Sequence, residues 1–270
     1  MPSTSGPIAS LTVRQAIAAD AEPITARMQA GMSANVQRIT ILGSPRLGAW
    51  VAGQLADPAG DRFLVAEVAG RVAGMGSSRV VGTTLMVNHL YTHPDFQRQG
   101  IARALLARAL AEGSADSVAV DVFGESHIAR RWYAGLGFAA EYRRVWWETA
   151  LPAVEPEPAP AWTTRGLEAA EAAQSRQGFS SFQLVTPHAE YAIGRLTGAL
   201  FRAIGFGILA DPTALAALAA LEPERTLLCI GAPEALPEDA RLRGRILEES
   251  ERLSVPHPTL ATKLAVARAT

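Results

Sequence analysis

A proline-rich segment divides this chain of 270 residues into two parts. Four prolines fall between residues 151 and 162, and small or charged residues fill most of the gaps between them. Proline lacks a backbone N–H and favours extended geometry, so the segment cannot continue a helix or a central strand. A length of 270 residues also favours two domains. We predict a first domain over residues 1–150, a linker over 151–162 and a second domain over 163–270.

Apolar periodicity in the first part alternates between strand spacing and helix spacing. The predicted elements are a strand over 11–17, helices over the next thirty-odd residues, a hairpin over 61–80, a strand over 85–93, a helix over 100–112, a strand over 117–123, a helix over 126–136 and closing strands over 138–148. An early hairpin followed by strands that alternate with helices indicates a mixed sheet covered by helices. The predicted fold class is α/β, in the form of an α+β mixed sheet.

The second part has the same mixed character, so we predict a second, smaller α/β domain. Strands are expected over 179–185 and 225–231, and helices over 190–205 and 238–253. Three roles stay open for this part: a degenerate copy of the first domain, a cover that restricts the substrate, or a dimerisation unit. A homodimer is therefore one of the options.

Composition excludes several classes of function. Lys and Arg number 25 against 26 Asp and Glu, a net charge of −1, so no general field attracts nucleic acid or an anionic membrane. Cys229 is the only cysteine, and the five histidines have no metal-ligand spacing. The first ten residues lack a charged start and an apolar run, and no stretch approaches about 18 apolar residues. We expect a cytoplasmic protein without a metal site.

The loop between the strand over 85–93 and the helix over 100–112 carries the clearest binding signal. Pro94 stops the strand, and the loop that follows is Gln97–Ala102. The first turn of a helix has N–H groups without intrahelical partners, and the helix dipole favours negative charge there. Gly100 and Ala102 are small enough for a ligand to approach the backbone. Three cations lie near this end: Arg98, Arg103 and Arg108. The loop therefore predicts a phosphate or pyrophosphate site.

The strand, the Pro94 stop, the Q-x-x-G-x-A loop and the apolar helix together resemble the acetyl-coenzyme A signature of the GNAT superfamily of N-acetyltransferases. The second part of that signature follows at the expected distance, in Ala129, Tyr133 and Gly137-Phe138. The resemblance covers residues of about 10–150, in matching element order. It implies a GNAT-like fold with splayed central strands for the first domain.

The resemblance also implies that acetyl-coenzyme A is bound as a co-substrate. In the family, the strand before the loop splays from the next strand, and the pantetheine arm lies in the gap. Here the gap would separate the strands over 85–93 and 117–123. Ser126 stands where Asn is frequent, and serine can also cap a helix. The cofactor-binding residues implied are Leu90, Tyr91, Thr92, Gln97, Arg98, Gln99, Gly100, Ile101, Ala102 and Ser126.

Acyl transfer needs a proton for the departing thiolate and a neutral amine as nucleophile. Tyr133 matches the family position that commonly donates the proton, although a tyrosine on this helix could also simply pack in the core. His89 is the candidate base, since histidine titrates near neutral pH. A water chain to a carboxylate is the alternative, and the carboxylates considered are Glu67, Asp121 and Glu125.

The resemblance therefore predicts an enzyme that transfers an acetyl group to a primary amine of a small molecule or a protein. The alternative is a non-catalytic acyl-coenzyme A sensor whose second domain is the output module. A sensor needs the Gln97–Ala102 loop but not Tyr133, so turnover separates the two hypotheses.

Overall fold

The computed structural model describes residues 11–153 and 161–266. Residues 1–10 and most of the predicted linker, residues 154–160, lie outside the described residues. The strands are β1 (Leu11–Gln15), β2 (Arg62–Val68), β3 (Arg71–Val81), β4 (Thr84–Thr92), β5 (Ser117–Phe123), β6 (Ala139–Ala150), β7 (Thr163–Arg165), β8 (Phe179–Val185), β9 (Glu190–Leu196), β10 (Leu200–Ile204), β11 (Thr226–Gly231) and β12 (Gly244–Pro256). The helices are α1 (Ala21–Ala30), α2 (Ala34–Ile39), α3 (Leu47–Ala56), α4 (Ile101–Glu112), α5 (His127–Gly135), α6 (Leu167–Gln177), α7 (Pro212–Leu221), α8 (Glu238–Arg241) and α9 (His257–Val266).

All strands within the described residues form one mixed sheet, in the order β1-β2-β3-β4-β5-β12-β6-β11-β10-β9-β8-β7. The α/β class predicted from the sequence is confirmed, and the elements of the first part match the predicted order. The β2–β3 hairpin turns at Ala69 and Gly70, which have φ values of 50° and 72°. Two successive residues with positive φ give the strands the twist that a tight hairpin needs.

Two helix predictions in the second part are wrong. Residues 190–205 form the hairpin β9–β10, which turns at Thr197 with a φ of 52°. Of residues 238–253, only the short α8 is helical; residues 242–243 form a turn, and the rest belongs to β12. The charged residues of β12 looked like one face of a helix, but they pair with neighbouring strands, as Arg252 does with Asp121 at 2.6 Å. Tertiary pairing overrides local propensity here.

Strand β12 crosses from the second part of the chain into the first. It lies between β5 and β6 and pairs with both in antiparallel fashion. Strand β6 in turn lies between β12 and β11. Each part therefore completes its portion of the sheet with a strand from the other.

The two parts repeat one topology. In the first, the antiparallel run β2-β3-β4 is followed by α4 and by β5, which is parallel to β4. In the second, the antiparallel run β8-β9-β10 is followed by α7 and by β11, which is parallel to β10. Parallel neighbours require a crossover connection, and a helix supplies it in both parts.

Hydrophobic clusters cover both faces of the first part of the sheet. One cluster joins α4 to β5, α5 and α9, with Leu105, Leu106 and Tyr133 among its members. A second cluster joins α1–α3 to β2 and β3, with Phe63 and Met75 at its centre.

A buried carboxylate joins the two parts. Glu148 of β6 accepts a bidentate pair of hydrogen bonds from Arg38 of α2, at 3.0 and 2.6 Å. Arg245 of β12 donates to the same carboxylate at 3.1 Å, and Thr226 of β11 at 2.9 Å. Burial opposes ionisation, but the bonds from Thr226, Arg245 and Arg38 outweigh it and lower the pKa of Glu148.

We predict that Glu148→Gln lowers the free energy of unfolding by about 2–3 kcal/mol, because two guanidinium groups lose their shared anion. The loss is moderate because the Arg38 and Arg245 side chains are 39% and 70% exposed. The lowered pKa means that this stabilisation is present above about pH 4.5 and is lost as the pH falls through the folded-state pKa. Urea unfolding at neutral and acidic pH measures both effects. Glu141→Gln, an exposed position on the same strand, should change little.

We also predict that residues 1–150 alone do not fold as they do in the full chain. Removing β12 leaves the facing edges of β5 and β6 without backbone partners. Circular dichroism should show no cooperative transition for this fragment, whereas co-expression with residues 151–270 should restore one. A fragment that melts alone at the temperature of the full chain would contradict the prediction.

Candidate active site

Strands β4 and β5 separate partway along their length. They pair in parallel from Thr84↔Ser117 to Val87↔Val120, and no pairing between them follows in the described residues. A bulge interrupts β4 at this point, because Ser78 pairs with Val87 and Ser77 with His89. A bulge adds one residue to a strand and bends it. The bend at Asn88 therefore begins a gap between the two strands.

Each wall of the gap is held by a strand on its far side. On one wall, His89–Thr92 remain paired with β3, so their other backbone edge faces the gap. On the other wall, Asp121–Phe123 remain paired with β12. Both walls are therefore ordered, while the edge of β4 keeps backbone groups that an extended ligand could pair with.

The loop before α4 presents its backbone to solvent. Arg98 and Gly100 have φ values of 63° and 79°, and Gln97–Gly100 are exposed. Among the described residues, no backbone hydrogen bond outside regular elements is donated by the N–H groups of 98–103. A Cβ at Gly100 would have no atom within 4 Å. Exposed N–H groups at the start of a helix of this length fit an anion such as a diphosphate.

Of the three cations predicted near the loop, two have partners elsewhere. Arg103 donates to the carbonyl of Lys263 at 2.9 Å, and Arg108 pairs with Glu112. Arg98 has no ion pair among the described residues and lies in the loop itself. A residue other than glycine with this φ is strained by about 1–2 kcal/mol. The fold thus holds Arg98 in an unfavourable conformation beside the exposed N–H groups.

The side chains at the end of β4 pack against helices, so the backbone edge of the strand is the part that a ligand can contact. Leu90 packs on the cluster of α4, whereas Tyr91 packs on α1, where a Cβ at Gly31 would lie 2.6 Å from its ring. The Thr92 hydroxyl is buried and has no hydrogen-bond partner in the described part of the chain. An unpaired buried hydroxyl is costly, so a ligand that bonds to it would be favoured.

Tyr133 lies on α5 in the same cluster as Leu90 and Ile101. Its ring makes edge contacts with Trp132 and Phe138, at centroid distances of 4.9 and 5.0 Å. Burial raises the pKa of the Tyr133 phenol above its ordinary value, so the hydroxyl keeps its proton at neutral pH. The packed position and the predicted role as proton donor are compatible.

His89 contacts Ser77 through Nδ1, at 2.9 Å from Oγ. It lines a small internal cavity together with Leu90 and Leu105. Burial lowers the pKa of His89 to about 4, and the nearby charge of Asp61 opposes this only in part. The ring is therefore neutral at physiological pH, where it can accept a proton but binds it weakly.

The remaining predicted residues have simpler surroundings. Ser126 occupies the N-cap position of α5, but its side chain makes no capping hydrogen bond. Glu67 is bonded to Arg14 at 2.6 Å, and Asp121 to Arg252 at 2.6 and 2.7 Å. Glu125 is exposed. Two of the three carboxylates considered are thus already paired with cations.

Sequence reasoning missed the residues that β12 brings to this site. Glu248, Glu249 and Ser250 lie beside the end of β5, where Ser250 pairs with Phe123. Nothing in the sequence indicated this, because the segment resembles a charged helix and is distant along the chain.

Within the described residues, no helix has the length and apolar character that a membrane span requires. The same residues contain no group of three or more His, Cys, Asp or Glu side chains placed to hold a metal ion.

Comparison with known proteins agrees with this geometry. Residues 59–140 match the family model described as an acetyltransferase (GNAT) domain. These residues include the hairpin, the splayed strands, the loop and the helix with Tyr133. No curated protein sequence matches the chain significantly.

Two solved structures share the fold over almost the whole chain. One is a tandem GNAT protein from the clavulanic acid biosynthesis pathway, with a TM-score of 0.61 and 16% identity, covering 92% of this chain and 99% of that one. The other is a GCN5-related N-acetyltransferase from Sphaerobacter thermophilus, with a TM-score of 0.57 and 16% identity, covering 92% and 96%. At such identities the likeness concerns the fold. The matched family model identifies residues 59–140 as an acetyltransferase (GNAT) domain, and the solved structures show that the whole described fold resembles that of tandem GNAT proteins.

Proposed function

We propose that the protein is an acetyl-coenzyme A-dependent N-acetyltransferase, acting in the cytoplasm on a primary amine of a small molecule or a protein. The observation that carries the proposal is the gap between β4 and β5, which begins at the Asn88 bulge and is followed along the chain by the exposed loop before α4. An extended thioester with a diphosphate at one end matches both features.

The loop and the first turn of α4 bind the diphosphate in this proposal. The backbone N–H groups of Arg98–Arg103 are available to its oxygens, and the guanidinium of Arg98 adds positive charge. Gln97, Gln99, Ile101 and Ala102 contribute through their backbone. Ile101 is buried, so its side chain anchors the start of the helix in the core.

The pantetheine arm lies along the free edge of β4 and pairs with the backbone of Leu90–Thr92. This pairing adds a strand to an exposed sheet edge, a common way to bind an extended ligand. Ser126, at the start of α5, borders the site. A backbone N–H on this edge would polarise the thioester carbonyl, and binding both substrates here removes most of the entropic cost of their encounter.

Transfer then proceeds by direct attack. The amine nitrogen forms a bond to the carbonyl carbon, the carbon–sulfur bond breaks, and the sulfur takes the proton of the Tyr133 hydroxyl. The nitrogen releases its surplus proton to Nε2 of His89 or to water, and a proton returns to Tyr133 through solvent. Since His89 has a pKa of about 4, it would pass the proton on readily.

The second part of the chain is, in our proposal, a degenerate GNAT-like unit that binds no acyl-coenzyme A. Strands β10 and β11 stay paired from Leu200↔Thr226 to Ile204↔Ile230, and Gly205 donates to the Ile230 carbonyl at 2.7 Å. No gap opens between them in the described residues. The start of α7 has its own anion, since Asp211 accepts a bond from the N–H of Ala214 at 3.0 Å.

Calorimetry should detect one acetyl-coenzyme A per chain, and Gly100→Glu should weaken binding at least tenfold. The new carboxylate repels the diphosphate and occupies its place. Gly70→Glu is the matched control, because Gly70 also has a positive φ and open surroundings but lies in the β2–β3 turn. Equal affinity for both variants and the wild type would contradict the diphosphate site.

Tyr133→Phe should lower kcat about 100-fold while leaving the Kd for acetyl-coenzyme A unchanged, because it removes only the donated proton. The ring contacts with Trp132 and Phe138 remain, so thermal stability should change little. Release of coenzyme A in the presence of a panel of primary amines measures turnover, and Tyr142→Phe, an exposed tyrosine of β6, serves as control. Binding without turnover on any amine would instead favour the acyl-coenzyme A sensor.

A further inference from the structure

A second bulge, in β12, lies beside the end of β5. Ile246 pairs with Trp147 and Glu248 pairs with Trp146, so Leu247 is the extra residue. Bulges frequently occur next to active sites, where they direct a side chain. Directly paired residues on neighbouring strands point to the same face of a sheet, so Glu248 and Trp146 share a face.

That face is the one covered by α1–α3. Trp146 packs on a cluster that contains Ile39 of α2, and Phe123 packs on the cluster of α1–α3. The rings of Phe123 and Trp146 contact each other at a centroid distance of 5.3 Å. The indole N–H of Trp146 donates to Ser250 at 3.0 Å, which fixes the ring. Glu248 therefore lies beside an aromatic surface, and both rings are only partly buried.

The connection between α1 and α2 reaches from β4 to β12. At its start, Gly31 contacts Tyr91 of β4. At its end, Asn35 donates to the Leu247 carbonyl at 2.6 Å and reaches the Glu248 carboxylate at 3.4 Å. The connection thus joins β4 on one side of the gap to β12 on the other. Glu248 lies on β12, next to the end of the strand β5 that forms the wall opposite β4.

Within the described ranges of the chain, Glu248 lacks the cation partner that three neighbouring carboxylates have. Glu249 pairs with Arg143, Glu251 with Arg130 at 3.3 Å, and Asp121 with Arg252. Among the described residues, Glu248 has no cation within 4 Å. Its oxygens accept only from the Asn35 amide and, at 3.0 Å, from the N–H of Glu249.

Gly124 leaves space beside the Glu248 carboxylate, because glycine has no side chain. A Cβ at Gly124, the residue that follows β5, would lie 3.2 Å from Oε1 of Glu248. Any larger residue there would crowd the oxygen. The carboxylate is thus partly buried and has no cation partner in the described part of the chain, which are the properties of a site for a cation.

We propose that Glu248, supplied by the second part of the chain, binds the amino group of the acceptor, which arrives as ammonium and loses one proton to solvent before it attacks, while Phe123 and Trp146 hold its body. The acceptor is then a primary amine carried on an aromatic or apolar body. This inference rests on the proposed function, because it assigns the acceptor side of the same gap. A cation beside aromatic rings gains further attraction from their faces.

The test measures binding without turnover. Wild type is saturated with coenzyme A, which has no acyl group to transfer, and titrated calorimetrically with 2-phenylethylamine and with its neutral analogue 2-phenylethanol. We expect the amine to bind at least tenfold more tightly than the alcohol. Glu248→Gln should remove this preference, and Glu249→Gln, on the same strand but paired with Arg143, should keep it.

The proposal is overturned if the wild type does not prefer the amine, or if Glu248→Gln retains the preference. It is equally overturned if Glu249→Gln loses the preference to the same extent, since the effect would then belong to the general charge of β12. Failure of the proposed function is distinguishable, because it would appear as absent binding when coenzyme A itself is first titrated into the free protein.

Discussion

The antiparallel pairing of β12 with β5 and β6 is the interaction on which the rest of the structure depends. Strand β12 comes from the second part of the chain, and it pairs with the facing backbone edges of β5 and β6 from the first part. It also holds Asp121–Phe123 in place on one side of the gap. Since backbone pairing fixes register, every side chain that β12 contributes near the gap has a set position. The two parts therefore form one cooperative sheet, and Glu148 adds a shared ion-pair network to the same junction.

The two parts share one topology, but they differ in whether the two parallel strands separate. In the first, a bulge separates β4 from β5, and the N–H groups at the start of the following helix have no backbone acceptor in the described residues. In the second, β10 and β11 remain paired and Asp211 caps the following helix. In the described residues, the bulge in β4 and the Asp211 cap of α7 are two differences between the separated pair β4–β5 and the closed pair β10–β11. The second part contributes β12 to the portion of the sheet that the first part forms.

The sequence-based predictions agree with the structure where a feature depends on residues close in the chain, and they fail where it depends on distant residues. The loop Gln97–Ala102, the helix that follows it and the position of Tyr133 could be predicted, because they depend on local backbone geometry and on residues close in the chain. The helices expected over 190–205 and 238–253 were wrong, because both segments become strands only through distant partners. The carboxylates expected to serve an amine were predicted without regard to Arg14 and Arg252, which already neutralise Glu67 and Asp121.

The sequence by itself determined the α/β class, the candidate anion-binding turn and the resemblance to the GNAT superfamily, since periodicity, a glycine and a helix start are local properties. Only the tertiary structure decided that β12 enters the first part, that β4 and β5 separate after Val87 and that Glu248 has no cation partner among residues 11–153 and 161–266. These features arise from contacts between residues far apart in the chain. Such contacts stabilise the fold only after the distant strands have come together.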